Sequence, residues 1–169
     1  MKPWSWFSSG TAMRCERGLS SKLEILQNLF WMSFSARTSY NSSNWRDDDR
    51  TRGHCAVTAL LVQDILGGEI LRASLEEVTG YEDMQSHYWN RLPNGLQVDF
   101  TADQFKNGAR DLVPSGEVRT RKSLLDSEKT KARYEMLRTE FIGMLMLSVE
   151  YNFCLGKKLI PKEAWLIKF

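Results

Sequence analysis

At 169 residues, with 42% hydrophobic and 26% charged side chains, the chain can build one domain with a full core and is short for two. Its 23 basic and 21 acidic residues give a net charge of +2, with no face-long run of Lys or Arg. Composition therefore offers no case for nucleic acid or a membrane surface as partner. The cysteines Cys15, Cys55 and Cys154 are odd in number, far apart and without a CxxC pair. That favours free thiols in a reducing, cytoplasmic setting over a disulfide framework.

Residues 1–10 hold one lysine and scattered aromatics, without the continuous apolar stretch of a signal peptide, and residues 1–19 are expected to be irregular. Ser20 and Ser21, with Glu24 three residues after Ser21, read as a capping box. It would open a helix whose apolar stripe is Leu23, Leu26, Leu29 and Phe30, ending near Met32. Residues 33–52 are rich in Ser, Asn, Asp and Arg and read as loop. The Asp47-Asp48-Asp49 triplet within them is expected to be solvated rather than metal-binding.

Residues 56–66 are apolar on nearly every side, which predicts a buried helix stopped by Gly67-Gly68. A short strand is expected over 69–73. Residues 86–101 predict two short strands around Pro93-Asn94-Gly95. Pro93 suits the first turn position and Gly95 the left-handed one, giving a three-residue loop with a bulge. A two-residue loop would leave Pro93 in the ladder with no N–H to donate. The three-residue loop pairs Leu92 with Leu96, Trp89 with Asp99 and His87 with Thr101. One face then carries Tyr88, Leu92, Leu96, Val98 and Phe100. The other, polar face carries His87, Trp89 and Asp99, with His87 and Asp99 as diagonal neighbours.

Thr101 and Gln104 read as a second capping box before a short helix, and 107–116 as loop. A strand over 117–120 and a charged helix over 127–150 complete an α+β domain spanning 20–141, a buried helix packed on an antiparallel sheet. Residues 142–169 form a C-terminal extension, whose Met144-Leu145-Met146-Leu147 suits a core-packing helix or a partner surface. The apolar run over 141–155 is interrupted by Glu150 and Asn152 and falls short of the roughly 20 residues that span a bilayer.

A thiol attacks a carbonyl well only as thiolate, and a helix N-terminus, an adjacent imidazole and a group holding that imidazole all favour the anion. Cys55 begins the buried helix, His87 opens a strand, and Asp99 is placed to fix its tautomer. These three are the candidate nucleophile, general acid/base and orienting carboxylate. Backbone N–H groups at Cys55 would hold an oxyanion, with His54 as a candidate side-chain donor. His54, Trp89 and Trp45 are the candidate substrate contacts. Two other readings use the same residues. Cys55, His54 and His87 as metal ligands lack a fourth at usual spacing, so no metal or cofactor is expected. Trp89, Tyr88 and Trp45 as the lining of a recognition groove would make a binding protein without chemistry.

Long ungapped blocks carry a resemblance to a known family. They are Ser33-Phe34-Ser35 with Thr38-Ser39, residues 53–60 (GHCAVTAL) into Val62-Gln63-Asp64, and 67–73 (GGEILRA). They continue through 87–95 (HYWNRLPNG), Val98-Asp99-Phe100-Thr101 and Gln104-Phe105, with 119–137 also fitting. Over roughly 23–141 the chain resembles the YunG-like family of functionally uncharacterised proteins. More distantly, the order of Cys at a helix start, His and then Asp is similar to the transglutaminase/papain-like fold. That resemblance implies thiol acyl chemistry on an amide or ester, a protein among the candidate substrates, as a hydrolase or acyltransferase. His54 stands where the family usually shows a Gln that papain-like enzymes use in the oxyanion hole.

Overall fold

The computed structural model describes residues 17–81, 84–105 and 115–154. Helix α1 (Arg17–Ser33) and helix α2 (Cys55–Leu66) precede strand β1 (Glu69–Ser74). Strands β2 (Ser86–Arg91), β3 (Gln97–Val98) and β4 (Glu117–Arg119) follow, then helices α3 (Arg121–Leu125) and α4 (Glu128–Cys154). The four strands form one antiparallel sheet in the order β3-β2-β1-β4, so the architecture is α+β.

Helix α1 starts earlier than its expected cap: Ser21 lies inside the helix, and residues 17–19 are helical rather than irregular. The core-facing stripe is as expected, with Leu23, Leu26, Leu29 and Phe30 all buried. Helix α2 buries seven of its twelve residues between the sheet and helices α1 and α4. Its end is set by the glycine pair. Gly67 (φ 72°) returns its N–H to the Gln63 carbonyl at 2.9 Å, and Gly68 (φ 86°) lets the chain pass under the β-hairpin. A Cβ at Gly68 would stand 2.2 Å from the Arg91 carbonyl oxygen and 2.9 Å from Leu92 Cα. Gly68→Ala is therefore expected to lower stability by more than about 2 kcal/mol in urea unfolding, backbone strain and clash acting together. A cost under about 0.5 kcal/mol would contradict this contact.

The hairpin has the expected register: Asn90 pairs with Val98 and Arg91 with Gln97. Leu92 N–H meets the Leu96 carbonyl at 2.8 Å, and Gly95 takes φ 84°. One expectation fails. The face carrying His87 and Trp89 is not solvated, because Leu75, Val78, Tyr81 and Phe105 cover it and join its Leu71 and Trp89 in a second hydrophobic cluster. His87 and Trp89 are accordingly buried. The sheet is thus packed on both faces, with Asn90 on the other side donating to the Ala59 carbonyl of α2 at 3.0 Å.

Helix α4 crosses the expected boundary at 141/142 without a break, and Phe141, Met144 and Leu145 join the main core. It is pinned to α2 through Asp64, which receives Arg121 at 2.9 Å and the Tyr134 hydroxyl. The Asp47-Asp48-Asp49 stretch is a short 3₁₀ turn. Its carboxylates pair with Arg50 (3.7 Å), Arg46 (2.9 Å) and Arg52 (3.8 Å) respectively. Asp49 is buried, unlike the solvated triplet the sequence suggests. Among the described residues no helix is long and apolar enough to cross a membrane. The loop expected over 107–116 lies largely outside the described residues, as do most of 1–19 and residues 155–169.

Candidate active site at the head of helix α2

Cys55 is the first residue of α2, where the leading N–H groups have no intrahelical acceptor and point toward whatever lies ahead of the helix. The thiol is free and largely buried. Its Sγ lies 3.9 Å from the Ser86 carbonyl oxygen, against the first residues of β2. His87 follows Ser86, and the nearby Cys55 sulfur is one of the influences that raise the pKa of its imidazole. On the far side of the ring, Nε2–H donates to Asp99 Oδ2 at 2.6 Å. The structure thus brings Cys55, His87 and Asp99 together.

The imidazole has little freedom to move. Trp89 stacks beside it (centroids 5.6 Å, interplanar angle 17°) and Phe105 meets it edge-on at 4.7 Å. Asp99 is held in turn by Thr101, whose N–H and hydroxyl both reach Oδ1 at 3.0 Å. The expected Thr101–Gln104 capping box is therefore not formed. Thr101 serves the carboxylate instead, and Gln104, from the 3₁₀ turn Ala102–Gln104, turns its amide Nε2 to His87 Nδ1 at 2.9 Å.

Burial works to lower the His87 pKa, but the Asp99 charge and hydrogen bond, with Cys55 behind them, outweigh it and raise the value to about 9. An imidazolium donates from both nitrogens, whereas the Gln104 amide as oriented suits a neutral ring that accepts at Nδ1. Among the described residues the buried Gln104 Oε1 has no partner. A half-turn of that amide would offer Oε1 to Nδ1–H, so Gln104 can accommodate either protonation state.

His54 behaves differently from its expected role as an oxyanion donor. It is fully buried, tilted against Phe34 at 4.4 Å, with Nδ1 donating to the Arg52 carbonyl at 3.1 Å. Nε2 is engaged by the Thr38 hydroxyl at 2.9 Å. With both nitrogens satisfied inside the protein, neither is left for a substrate. Burial above all lowers its pKa to about 4, keeping it neutral. Trp89 is also removed from substrate: it lies behind His87, with Nε1 donating to Gln97 at 2.8 Å. Trp45 spends its N–H on the Arg50 carbonyl at 3.2 Å and carries the Arg50 guanidinium over its ring. None of these three lines the cavity that Cys55 faces.

That cavity, of about 210 Å³, opens between the 39–53 loop, the start of β2 and the face of α4 that carries Thr130 and Arg133. Tyr88 is the aromatic of the expected groove that does line it. Among the described residues, no three His, Cys, Asp or Glu side chains are gathered as metal ligands.

The two histidines set opposite pH limits on stability. His54, depressed to about 4 from 6.5, contributes stability present above pH 6.5 and lost as pH falls toward 4. His87, raised to about 9, contributes stability present below pH 6.5 and lost as pH rises through 9. Each effect is on the order of 3 kcal/mol. Urea unfolding across pH is expected to peak near 6.5, with the alkaline fall reduced in His87→Gln. An alkaline arm unchanged in that variant would contradict the assignment.

A family model described as YunG protein matches residues 22–145. The chain belongs to the YunG family. It is similar to the uncharacterized protein YunG of Bacillus subtilis (strain 168), 36% identical over 67 residues, which cover 40% of this chain and 51% of that protein. The chain thus spans about half the length of the curated relative it matches. No solved structure matches it. Cys55, His87, Asp99, Gln104 and Arg133 all fall within the YunG match.

Proposed function

We propose that this YunG-family protein is a thiol hydrolase or acyltransferase with a papain-like mechanism, acting on an amide or ester. One observation carries the reading: a free Cys at a helix head, facing a cavity, beside an imidazole that a buried carboxylate holds at 2.6 Å. The order of Cys on a helix, His on a strand and Asp after the next strand supports the comparison with the transglutaminase/papain-like fold.

In this reading the Cys55 thiolate attacks the carbonyl carbon and a C–S bond forms. The oxyanion is received by N–H groups at the head of α2. His87 Nδ1–H, which must first leave the Gln104 amide that occupies Nδ1 at 2.9 Å, gives its proton to the leaving nitrogen or oxygen as that bond breaks, leaving a thioester on Cys55. Water or another acceptor then attacks the thioester while His87 takes its proton, and the thiolate departs. Asp99 keeps Nε2 protonated and the ring in place throughout.

The test is to incubate the protein with p-nitrophenyl acyl esters and look for the acyl adduct by peptide mass spectrometry. An adduct on Cys55, lost in Cys55→Ala, is expected. Equal ester turnover by Cys55→Ala would sink the proposal.

A second reading is a non-catalytic interaction module. The exposed Met146 and Leu147 on α4 favour it, since such side chains suit a partner surface. It requires that the protein's role survive Cys55→Ala.

A further inference from the structure

The cavity in front of Cys55 carries a charge that the acyl-transfer cycle above leaves unused. Its described wall includes two arginines, Arg52 and Arg133, and no Asp or Glu. Arg52 lies 3.8 Å from the buried Asp49. Arg133 has no carboxylate against it among the described residues. It reaches the cavity from α4, with Nη1 donating to the Gly53 carbonyl at 3.2 Å and Nη2 to the Thr130 hydroxyl at 3.4 Å. Tyr40 lies under the guanidinium, 5.4 Å from Cζ to the ring centroid. These contacts fix the orientation of the group but neutralise none of its charge, and they leave most of its five N–H donors unused. Burial pulls its pKa down, opposed by the Cys55 sulfur and Tyr40. A guanidinium nevertheless stays charged.

A fixed, half-buried cation with no carboxylate against it, and only the Cys55 sulfur and Tyr40 nearby to offset its charge, favours a ligand that supplies an anion. We propose that Arg133 is the anion subsite of this cavity, and that the acyl substrate carries a carboxylate close to its scissile carbonyl. The inference rests on Cys55 being the nucleophile. One unpaired guanidinium matches the fork of a single carboxylate, while a phosphate dianion would call for a second free cation. The volume of about 210 Å³ lies below the usual range for drug-sized ligands and suits a small acid. Ser39, Asn41 and Asn44 add neutral polar groups along the same wall.

Iodoacetate and iodoacetamide are near-isosteric and differ in charge, so they probe the subsite without a known substrate. Their alkylation rates at Cys55 are read by peptide mass spectrometry in the wild type, R133Q and R133K. His87 is present in every chain, so a change in the rate ratio belongs to Arg133. R133Q is expected to lower the iodoacetate rate about tenfold and the iodoacetamide rate less than about twofold, with R133K between wild type and R133Q. Succinate is expected to protect Cys55 from iodoacetamide in the wild type, and succinamide to give no protection. That arm decides the matter alone if R133Q does not fold. A ratio unchanged in R133Q, a parallel fall of both rates, or equal protection by succinate and succinamide overturns the subsite. A Cys55 that reacts with neither reagent faster than a free thiol at pH 6 overturns the nucleophile itself, a distinguishable result.

Discussion

His87→Gln is expected to slow the reaction of Cys55 with iodoacetamide at pH 6 by about a hundredfold, with the fold retained by circular dichroism. The imidazole lies close enough for the Cys55 sulfur to influence it, and its pKa of about 9 keeps it charged at that pH. An imidazolium near the sulfur, at the positive end of α2, favours the thiolate through its charge. Glutamine keeps a polar group in the buried site but supplies no charge. Helix α2 would remain, so a residual preference over a simple thiol is expected. An alkylation rate unchanged in His87→Gln would mean that the imidazole does not serve the sulfur.

Asp99→Ala is expected to cost about 3–5 kcal/mol in urea unfolding, the usual consequence of breaking a buried, hydrogen-bonded pair. The carboxylate accepts from His87 Nε2–H at 2.6 Å and from the Thr101 N–H and hydroxyl at 3.0 Å each. Alanine leaves those donors buried without an acceptor. Asp99→Asn retains an oxygen for Thr101 but loses the charge, so a smaller cost is expected. In both variants His87 loses the largest influence raising its pKa, and burial then favours the neutral ring. The alkaline fall in stability should shrink accordingly. A cost of Asp99→Ala under about 1 kcal/mol would contradict the role given to this carboxylate.

The parts of this site that could be read from sequence are those with local rules. Pro93-Asn94-Gly95 dictates a turn, the turn dictates a register, and the register makes His87 and Asp99 diagonal neighbours within reach of each other. The buried nature of α2 follows from its being apolar all round, and Gly67-Gly68 marks its end. What escaped depends on distant packing. The surroundings of His54 are Phe34, Thr38 and the Arg52 carbonyl, gathered by a loop with no regular periodicity. Trp89 reads as part of a polar face because nothing local reveals that Leu75, Val78, Tyr81 and Phe105 close over it.

Gln104 was concealed by a coincidence of spacing. Three residues after Thr101, it imitates a capping box, yet its amide goes to the imidazole and Thr101 goes to Asp99. A buried amide five residues beyond a candidate carboxylate has no sequence rule to announce it. Arg133 is one of several cations on a charged helix face, and only the cavity distinguishes it from its neighbours.

The most direct measurement is the pH dependence of Cys55 alkylation by iodoacetamide in the wild-type protein, read peptide by peptide so that Cys15 and Cys154 do not contribute. A free thiol, with a pKa of roughly 8.5, loses about tenfold in rate for each pH unit below that value. On the proposed chemistry Cys55 is expected to hold its rate within about twofold from pH 8 to pH 6, the behaviour of a nucleophile served by a charged imidazole. A rate that instead falls in step with the free thiol would show the sulfur to be protonated and unassisted, and would contradict the proposed chemistry.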